Sequence, residues 1–89
     1  MSQFLSCPYL LFIEQSSFII VIPDFQALSV RAQTLEHAIE LAQIALIEKI
    51  RDINARQQTL PKMSRREDYI NQYLNAVLVS TLSIDLETL

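Results

Sequence analysis

The chain has 89 residues, 51% of them hydrophobic and 19% charged, which is enough for one hydrophobic core but not for two domains. Its formal net charge of −3 argues against nucleic acid as the main partner and favours a basic protein. Glycine is absent, which excludes the glycine-rich loops that bind phosphates and dinucleotides. With Cys7 as its one cysteine, the chain can form no internal disulfide, and we expect a cytoplasmic protein.

The first third of the chain predicts three short strands. Residues 9–14 and 18–22 are aromatic and β-branched runs on either side of a polar turn at 15–17, as in a β-hairpin. The second run has no polar face, so we expect it to be buried on both sides, with a helix on one face and a second subunit as the candidate cover of the other. Alternation over residues 28–32 then predicts a third strand with Leu28, Val30 and Ala32 turned inward. The apolar run before Glu14 is too short to span a membrane.

A long amphipathic helix is predicted next, from Thr34 as its N-cap to about residue 53. At about 100° per residue, one narrow stripe forms the expected core face. Its members are Leu35, Ile39, Ala42, Leu46, Ile50 and Ile53, with Ala38 and Ala45 beside them. Leu41, Ile44 and Ile47 point away from this stripe, among charged residues, and are candidates for a contact with another chain. The alternative is that they are ordinary exposed apolar residues, which are common on protein surfaces.

The remaining residues predict a connector, a short helix and a last strand. The residue before Pro61 is disfavoured in a helix, so residues 57–61 form the connector. Ser64 and Glu67 have the spacing of a capping box at the start of a helix over 65–75. Residues 76–85 have the β-branched composition of a strand. The expected order is β-β-β-α-(short α)-β, an α+β fold in which an antiparallel-rich sheet of three to four strands packs on one long helix.

Residues 23–38, PDFQALSVRAQTLEHA, resemble the HicB antitoxin family, whose pattern is approximately PDFPGCxTxGDTxEEA. The hairpin before this segment and residues 39–46 after it continue the resemblance. The segment LPKMS at 60–64 is similar to the LPxPS segment of the family, so the resemblance covers residues 8–64. The chain departs from the pattern at the positions of a proline, two glycines and two acidic residues, which are Gln26, Ala27, Ala32, Gln33 and His37.

The resemblance implies a partial RNase H-like fold that assembles as a dimer or tetramer. It also implies an antitoxin that neutralises a small basic HicA-type toxin by stoichiometric binding. Such toxins look like double-stranded-RNA-binding domains and cleave mRNA with a histidine. In this interpretation Asp24 and Phe25 of the motif, with Leu41, Ile44 and Ile47 of the helix, are the candidate partner-binding residues.

Many HicB proteins carry a further DNA-binding unit. For this sequence we expect one HicB-like domain over residues 1–89, with its core at 8–64 and a C-terminal helix and strand at 65–86. A helix followed by a strand is the wrong order for a ribbon-helix-helix unit, so no appended DNA-binding domain and no direct DNA binding are expected.

Catalysis is the main alternative class. An RNase H-like outline raises the question of a metal-dependent nuclease, for which Asp24, Glu36 and Asp85 are the available carboxylates. We favour structural roles for all three, in a turn, at a helix dipole and in solvent. Cys7, expected near a loose N-terminus, and His37 are the only thiol and imidazole, too few for a nucleophilic or metal site. We therefore predict no catalytic residue, metal or cofactor.

Two further alternatives concern partners. The five bases Arg51, Arg56, Lys62, Arg65 and Arg66 have only Asp52 among them and could contact phosphates, although we favour a solvated surface. Residues 1–50, by contrast, carry five acids and two bases, which can steer a basic partner. The chain could also be a free-standing HicB-like oligomeric module without a toxin.

Overall fold

The computed structural model describes residues 3–88. Four strands form one antiparallel sheet in the order β3-β2-β1-β4. The strands are β1 (Phe4–Glu14), β2 (Ser17–Ile22), β3 (Leu28–Ala32) and β4 (Leu78–Asp85). The long helix α1 (Leu35–Ala55) and the short helix α2 (Arg66–Ile70) lie between β3 and β4 in the sequence. The α+β class, the order of the elements and the single long helix against the sheet are therefore as predicted.

The turn between β1 and β2 is a tight one of two residues. Gln15 and Ser16 have φ angles of 49° and 65°. Left-handed backbone at both positions matches the right-handed twist of the flanking strands in a two-residue hairpin. Glu14 pairs with Ser17, so the predicted hairpin is confirmed with a turn one residue shorter than expected.

The strand β1 begins at Phe4, five residues before the predicted start. Residues 4–11 of β1 pair with β4, from Phe4 opposite Asp85 onward, and β2 joins from Leu10. Cys7 therefore lies inside the sheet and is fully buried, which corrects the prediction that it is near a loose terminus. The prediction failed because Pro8 lacks an N–H group and interrupts the strand pattern. A proline is tolerated here because this part of β1 has one paired neighbour instead of two.

The main core lies between α1 and one face of the sheet. Ala38, Ala42, Leu46, Ile50 and Ile53 are the buried residues of α1, and all of them belong to the predicted stripe or its flank. Leu35 and Ile39 pack against its margin, half-buried. On β3, Ala32 is buried and Leu28 and Val30 pack against the same core, as predicted. Burial of these apolar side chains is the main stabilising contribution to a domain of this size.

The strand buried on both faces is β1, not β2. Tyr9 and Leu11 belong to the core under α1, whereas Leu10 between them is 1% exposed and lies outside that core. Successive side chains of a strand point to opposite faces, so Leu10 is buried on the other face of the sheet. Ile19 and Val21 of β2 are only half-buried, which corrects the expectation that residues 18–22 are covered on both sides.

The segment after α1 differs most from the prediction. The helix α2 has five residues, Arg66–Ile70, instead of extending over 65–75. The predicted capping box between Ser64 and Glu67 is absent, because the Asp68 carboxylate accepts the N–H of Arg65 at 2.9 Å and Ser64 binds elsewhere. The helix contacts β4. Among the described residues, no helix has the length and apolar content needed to cross a membrane.

Candidate functional site

The outer face of α1 presents one exposed isoleucine among carboxylates. The helix begins at Thr34, whose Oγ1 accepts the N–H of His37 at 3.2 Å, as expected for an N-cap. Exposed side chains then follow at intervals of four residues: Glu36, Glu40, Ile44 and Glu48. Residues with this spacing lie in a row along a helix. We call this row the acidic stripe.

The glutamates of the acidic stripe have no ion-pair partner within residues 3–88. The ion pairs of this part of the chain join Arg56 to Asp52 at 3.1 Å and Arg65 to Asp68 at 3.9 Å. Glu36 lies in the first turn of α1, where a carboxylate is favourable, but Glu36 and Glu40 are like charges four residues apart and slightly destabilise the helix. Ile44, at its centre, is 52% exposed. An apolar side chain among unpaired carboxylates suits a basic protein surface that offers an apolar pocket.

Leu41 and Ile47 are less available than the sequence indicated. Both are half-buried and pack against the core under α1, whereas the prediction had all three apolar residues pointing away from it. They lie on the two sides of the helix between the buried face and the acidic stripe, where long side chains reach back to the core. Ile44 is therefore the exposed apolar centre of this face, and contacts of Leu41 and Ile47 with a partner remain a prediction.

Asp24 connects the turn after β2 to the segment that precedes α2. Its Oδ2 accepts the Ser64 N–H at 2.8 Å, and its Oδ1 accepts the hydroxyls of Ser64 at 2.9 Å and Tyr69 at 2.5 Å. Burial, together with the hydrogen bond to Asp24, raises the pKa of Tyr69 above its usual value. We call these three residues the Asp24 clasp. The sequence placed Asp24 in a turn but did not show that Ser64 and Tyr69 bind it, because the contacts span 40 and 45 residues.

The turn after Asp24 has a left-handed backbone without glycine. Gln26 and Ala27 have φ angles of 59° and 56°. A residue with a Cβ adopts this conformation at some cost, and proline cannot adopt it, so the backbone at Gln26 differs from one with the proline of the HicB pattern. Phe25 is 3% exposed and belongs to the core, so its ring is not available at the surface.

A small cavity adjoins this turn at the end of α1. Its volume is about 210 Å³, and Asp24, Phe25, Lys49 and Ile53 are among the residues that line it. Sites for small molecules usually have about 300 to 1,000 Å³, so this cavity does not indicate a substrate. Asp24 and Ile53 both line this cavity, so the turn after β2 lies beside the last turns of α1.

The residues considered for catalysis are not brought together. In the part of the chain that the structure describes, no group of three or more His, Cys, Asp or Glu residues could hold a metal ion. Burial, with a smaller effect of the Asp24 charge, raises the pKa of the Cys7 thiol to about 12. Its reactive thiolate is therefore scarce at neutral pH. His37 lies on the exposed side of α1, whereas Cys7 is buried in the sheet.

Comparison with known proteins identifies the fold. No family model and no curated protein matches the sequence. Among solved structures, the chain is similar to the crystal structure of the N-terminal domain of Burkholderia pseudomallei antitoxin HicB, with a TM-score of 0.82 and 17% sequence identity. The match covers 92% of this chain and 100% of that one. The chain therefore has the HicB-like α+β fold that the motif at residues 23–38 predicted.

Proposed function

We propose that this chain is an antitoxin of the HicB type, which neutralises a small basic HicA-type toxin in the cytoplasm by binding it stoichiometrically. The observation that carries the proposal is the acidic stripe, in which Ile44 is exposed among three glutamates without internal ion pairs. The fold shared with an antitoxin domain supports it.

The mechanism is occlusion of the RNA-binding surface of the toxin. A protein that binds RNA needs basic residues for the phosphates, and the glutamates of the stripe complement those residues directly. Their charge speeds the encounter, because oppositely charged surfaces steer diffusion. Burial of Ile44 in the partner then slows dissociation, because fully desolvated apolar contacts contribute most of the binding energy in protein interfaces.

The other predicted partner-binding residues support the contact that Ile44 makes with the partner. Leu41 and Ile47 lie on the two sides of Ile44 and extend its apolar contact. Asp24 and Phe25 act from inside, since the Asp24 clasp and the buried Phe25 ring fix the turn between β2 and β3. The chain supplies a surface and no bond-making group, so we propose that it is not an enzyme.

The proposal is tested with a small basic protein encoded next to this chain, and the lack of any such neighbour would favour the free-standing module. Calorimetric titration should give one partner per chain, and cleavage of a test RNA by the partner should stop once the two proteins are equimolar. A partner that binds no better than an unrelated basic protein would contradict the proposal. Absence of binding by a chain that still self-associates would favour the free-standing oligomeric module instead.

A further inference from the structure

The outer face of α1 is nearly symmetric in sequence about Ile44. Glu40 and Glu48 lie four residues before and after it, and both are exposed. Leu41 and Ile47 lie three residues before and after it, and both are half-buried. Residues three and four apart are neighbours on a helix surface, so these four side chains surround Ile44. A partner that contacted only this centre would meet almost the same groups in two opposite orientations along the helix.

This symmetry ends at the next residues along the same face. Residues seven apart lie almost in line on a helix, about 10 Å from each other along its axis. His37 has this position on the N-terminal side of Ile44 and Arg51 has it on the C-terminal side, and both are exposed. Arginine is charged at every physiological pH, whereas histidine is not. The two ends of the face therefore differ in charge.

Arg51 has no carboxylate partner within residues 3–88. The ion pairs of these residues involve two other arginines, at the C-terminal end of α1 and at the start of α2. Glu48 is three residues before Arg51, yet the two side chains form no ion pair. A guanidinium beside the acidic stripe weakens the attraction of this face for cations in general. It also offers two parallel donors to a carboxylate of a partner.

The fold itself does not depend on Arg51. Its side chain is exposed, and the buried residues of α1 lie on the opposite face. A positive charge in the second half of a helix interacts only mildly with the helix dipole, so its replacement should change stability little. An effect of Arg51 on binding can therefore be measured in a folded chain.

We propose that Arg51 is a specificity-determining residue, which pairs with a carboxylate of the basic partner about 10 Å from the pocket that receives Ile44. This contact fixes the orientation of the partner along α1. The inference rests on the proposed function, because it concerns the same face and the same partner. It narrows the partner to a basic surface with one acidic residue beside its apolar pocket. A basic protein without that residue leaves Arg51 covered without a counter-charge, which weakens its binding.

The variant Arg51→Glu tests the proposal, with Arg66→Glu as the matched control. Both replace an exposed arginine by glutamate and change the net charge equally, but Arg66 lies on α2. Calorimetry with the small basic protein encoded next to this chain should give a Kd about tenfold higher for Arg51→Glu, because its carboxylate then faces that of the partner. Arg66→Glu should bind as tightly as the wild type or slightly more tightly. Equal Kd values for the two variants would overturn the proposal.

Charge exchange in the partner identifies the contact. Each aspartate and glutamate of the basic protein is replaced by lysine in turn. One of these substitutions should weaken binding to the wild-type chain and restore binding to Arg51→Glu, each by about tenfold. If none of them restores binding, Arg51 pairs with no carboxylate of the partner and the proposal is wrong.

Poly-lysine serves as a polycation that has no carboxylate side chain. At low salt Arg51→Glu should bind it several-fold more tightly than Arg66→Glu does, because the acidic stripe then continues past Glu48. Equal affinities would contradict a role of Arg51 in selection.

The outcomes separate this inference from the antitoxin proposal. A wild-type chain that does not bind the basic protein contradicts both. A chain whose binding is lost in Ile44→Asp but unchanged in Arg51→Glu contradicts only the assignment of Arg51.

Discussion

The outer face of α1 and the edge of β4 are both accessible, yet they have opposite chemistry. The first carries three glutamates around Ile44, whereas β4 is uncharged from Leu78 to Ile84 and ends at Asp85. A basic protein meets complementary charge at the acidic stripe and finds little along β4. The comparison indicates that the outer face of α1 suits a basic partner better than the edge of β4 does.

The largest effect is expected from Ile44→Asp, which breaks the apolar centre of the acidic stripe. Burial of a carboxylate in place of an isoleucine at the centre of an interface should weaken binding of the basic partner by about 3 kcal/mol, roughly a hundredfold in Kd. Thermal stability should change little because the side chain is exposed. Calorimetry measures the affinity, and thermal melting measures the stability of the variant.

Ile13→Asp is the matched control for this prediction. Ile13 is 51% exposed, nearly the same as Ile44, but it lies on β1. A similar loss of partner affinity in both variants would mean that the effect comes from general destabilisation and not from the acidic stripe.

Asp24→Ala tests how much the Asp24 clasp contributes to the stability of the fold that carries the binding surface. Loss of the Asp24 clasp removes three hydrogen bonds to a carboxylate and should lower the free energy of unfolding by about 2 to 3 kcal/mol, measured with urea. The affinity for the basic partner, measured well below the melting temperature, should fall by a smaller factor than in Ile44→Asp, because Asp24 supports the binding surface only from inside.

Asp52→Ala is the comparison variant for the clasp. It removes an exposed ion pair with Arg56, a type of contact worth about 0 to 1 kcal/mol. If Asp24→Ala were no more destabilising than Asp52→Ala, the clasp would have no structural importance.

The smallest effect is expected from salt and from Glu40→Gln. Raising the ionic strength should slow association with the basic partner, because charges separated by more than about 10 Å are screened at 0.1 M salt. Glu40→Gln should slow it by about two- to threefold at low salt, with little change in dissociation. Stopped-flow kinetics at two salt concentrations measure both effects, and an association rate that does not depend on salt would contradict binding at the acidic stripe.

Local patterns in the sequence predicted most of the fold. The apolar spacing of Ala42, Leu46 and Ile50 identified the buried face of α1, and the Thr34 cap marked its start. Both signals act over a few residues, so they are readable without a structure. The short runs at 9–14, 18–22 and 28–32 likewise identified three strands of the sheet, although Pro8 concealed the first part of β1.

The contacts that the sequence could not show are the long-range ones. Ser64 was assigned to a local capping box because Glu67 has the required spacing, but the Asp24 carboxylate is a better acceptor that only the folded chain brings near. The sequence predicts an outward position for Leu41 and Ile47 because a helical wheel gives only the angle of each residue around the helix axis. It does not show that these side chains extend far enough to pack against the core. The sequence shows part of the acidic stripe, namely Ile44 and its charged neighbours. Only the structure shows that the glutamates of the stripe have no ion-pair partner within residues 3–88.

Native mass spectrometry of this chain mixed with the small basic protein encoded beside it tests the central claim most directly. The account predicts a complex containing both proteins for the wild type, and this chain without its partner for Ile44→Asp. A basic partner that remains bound to Ile44→Asp as firmly as to the wild type would contradict the claim that the acidic stripe is the binding surface.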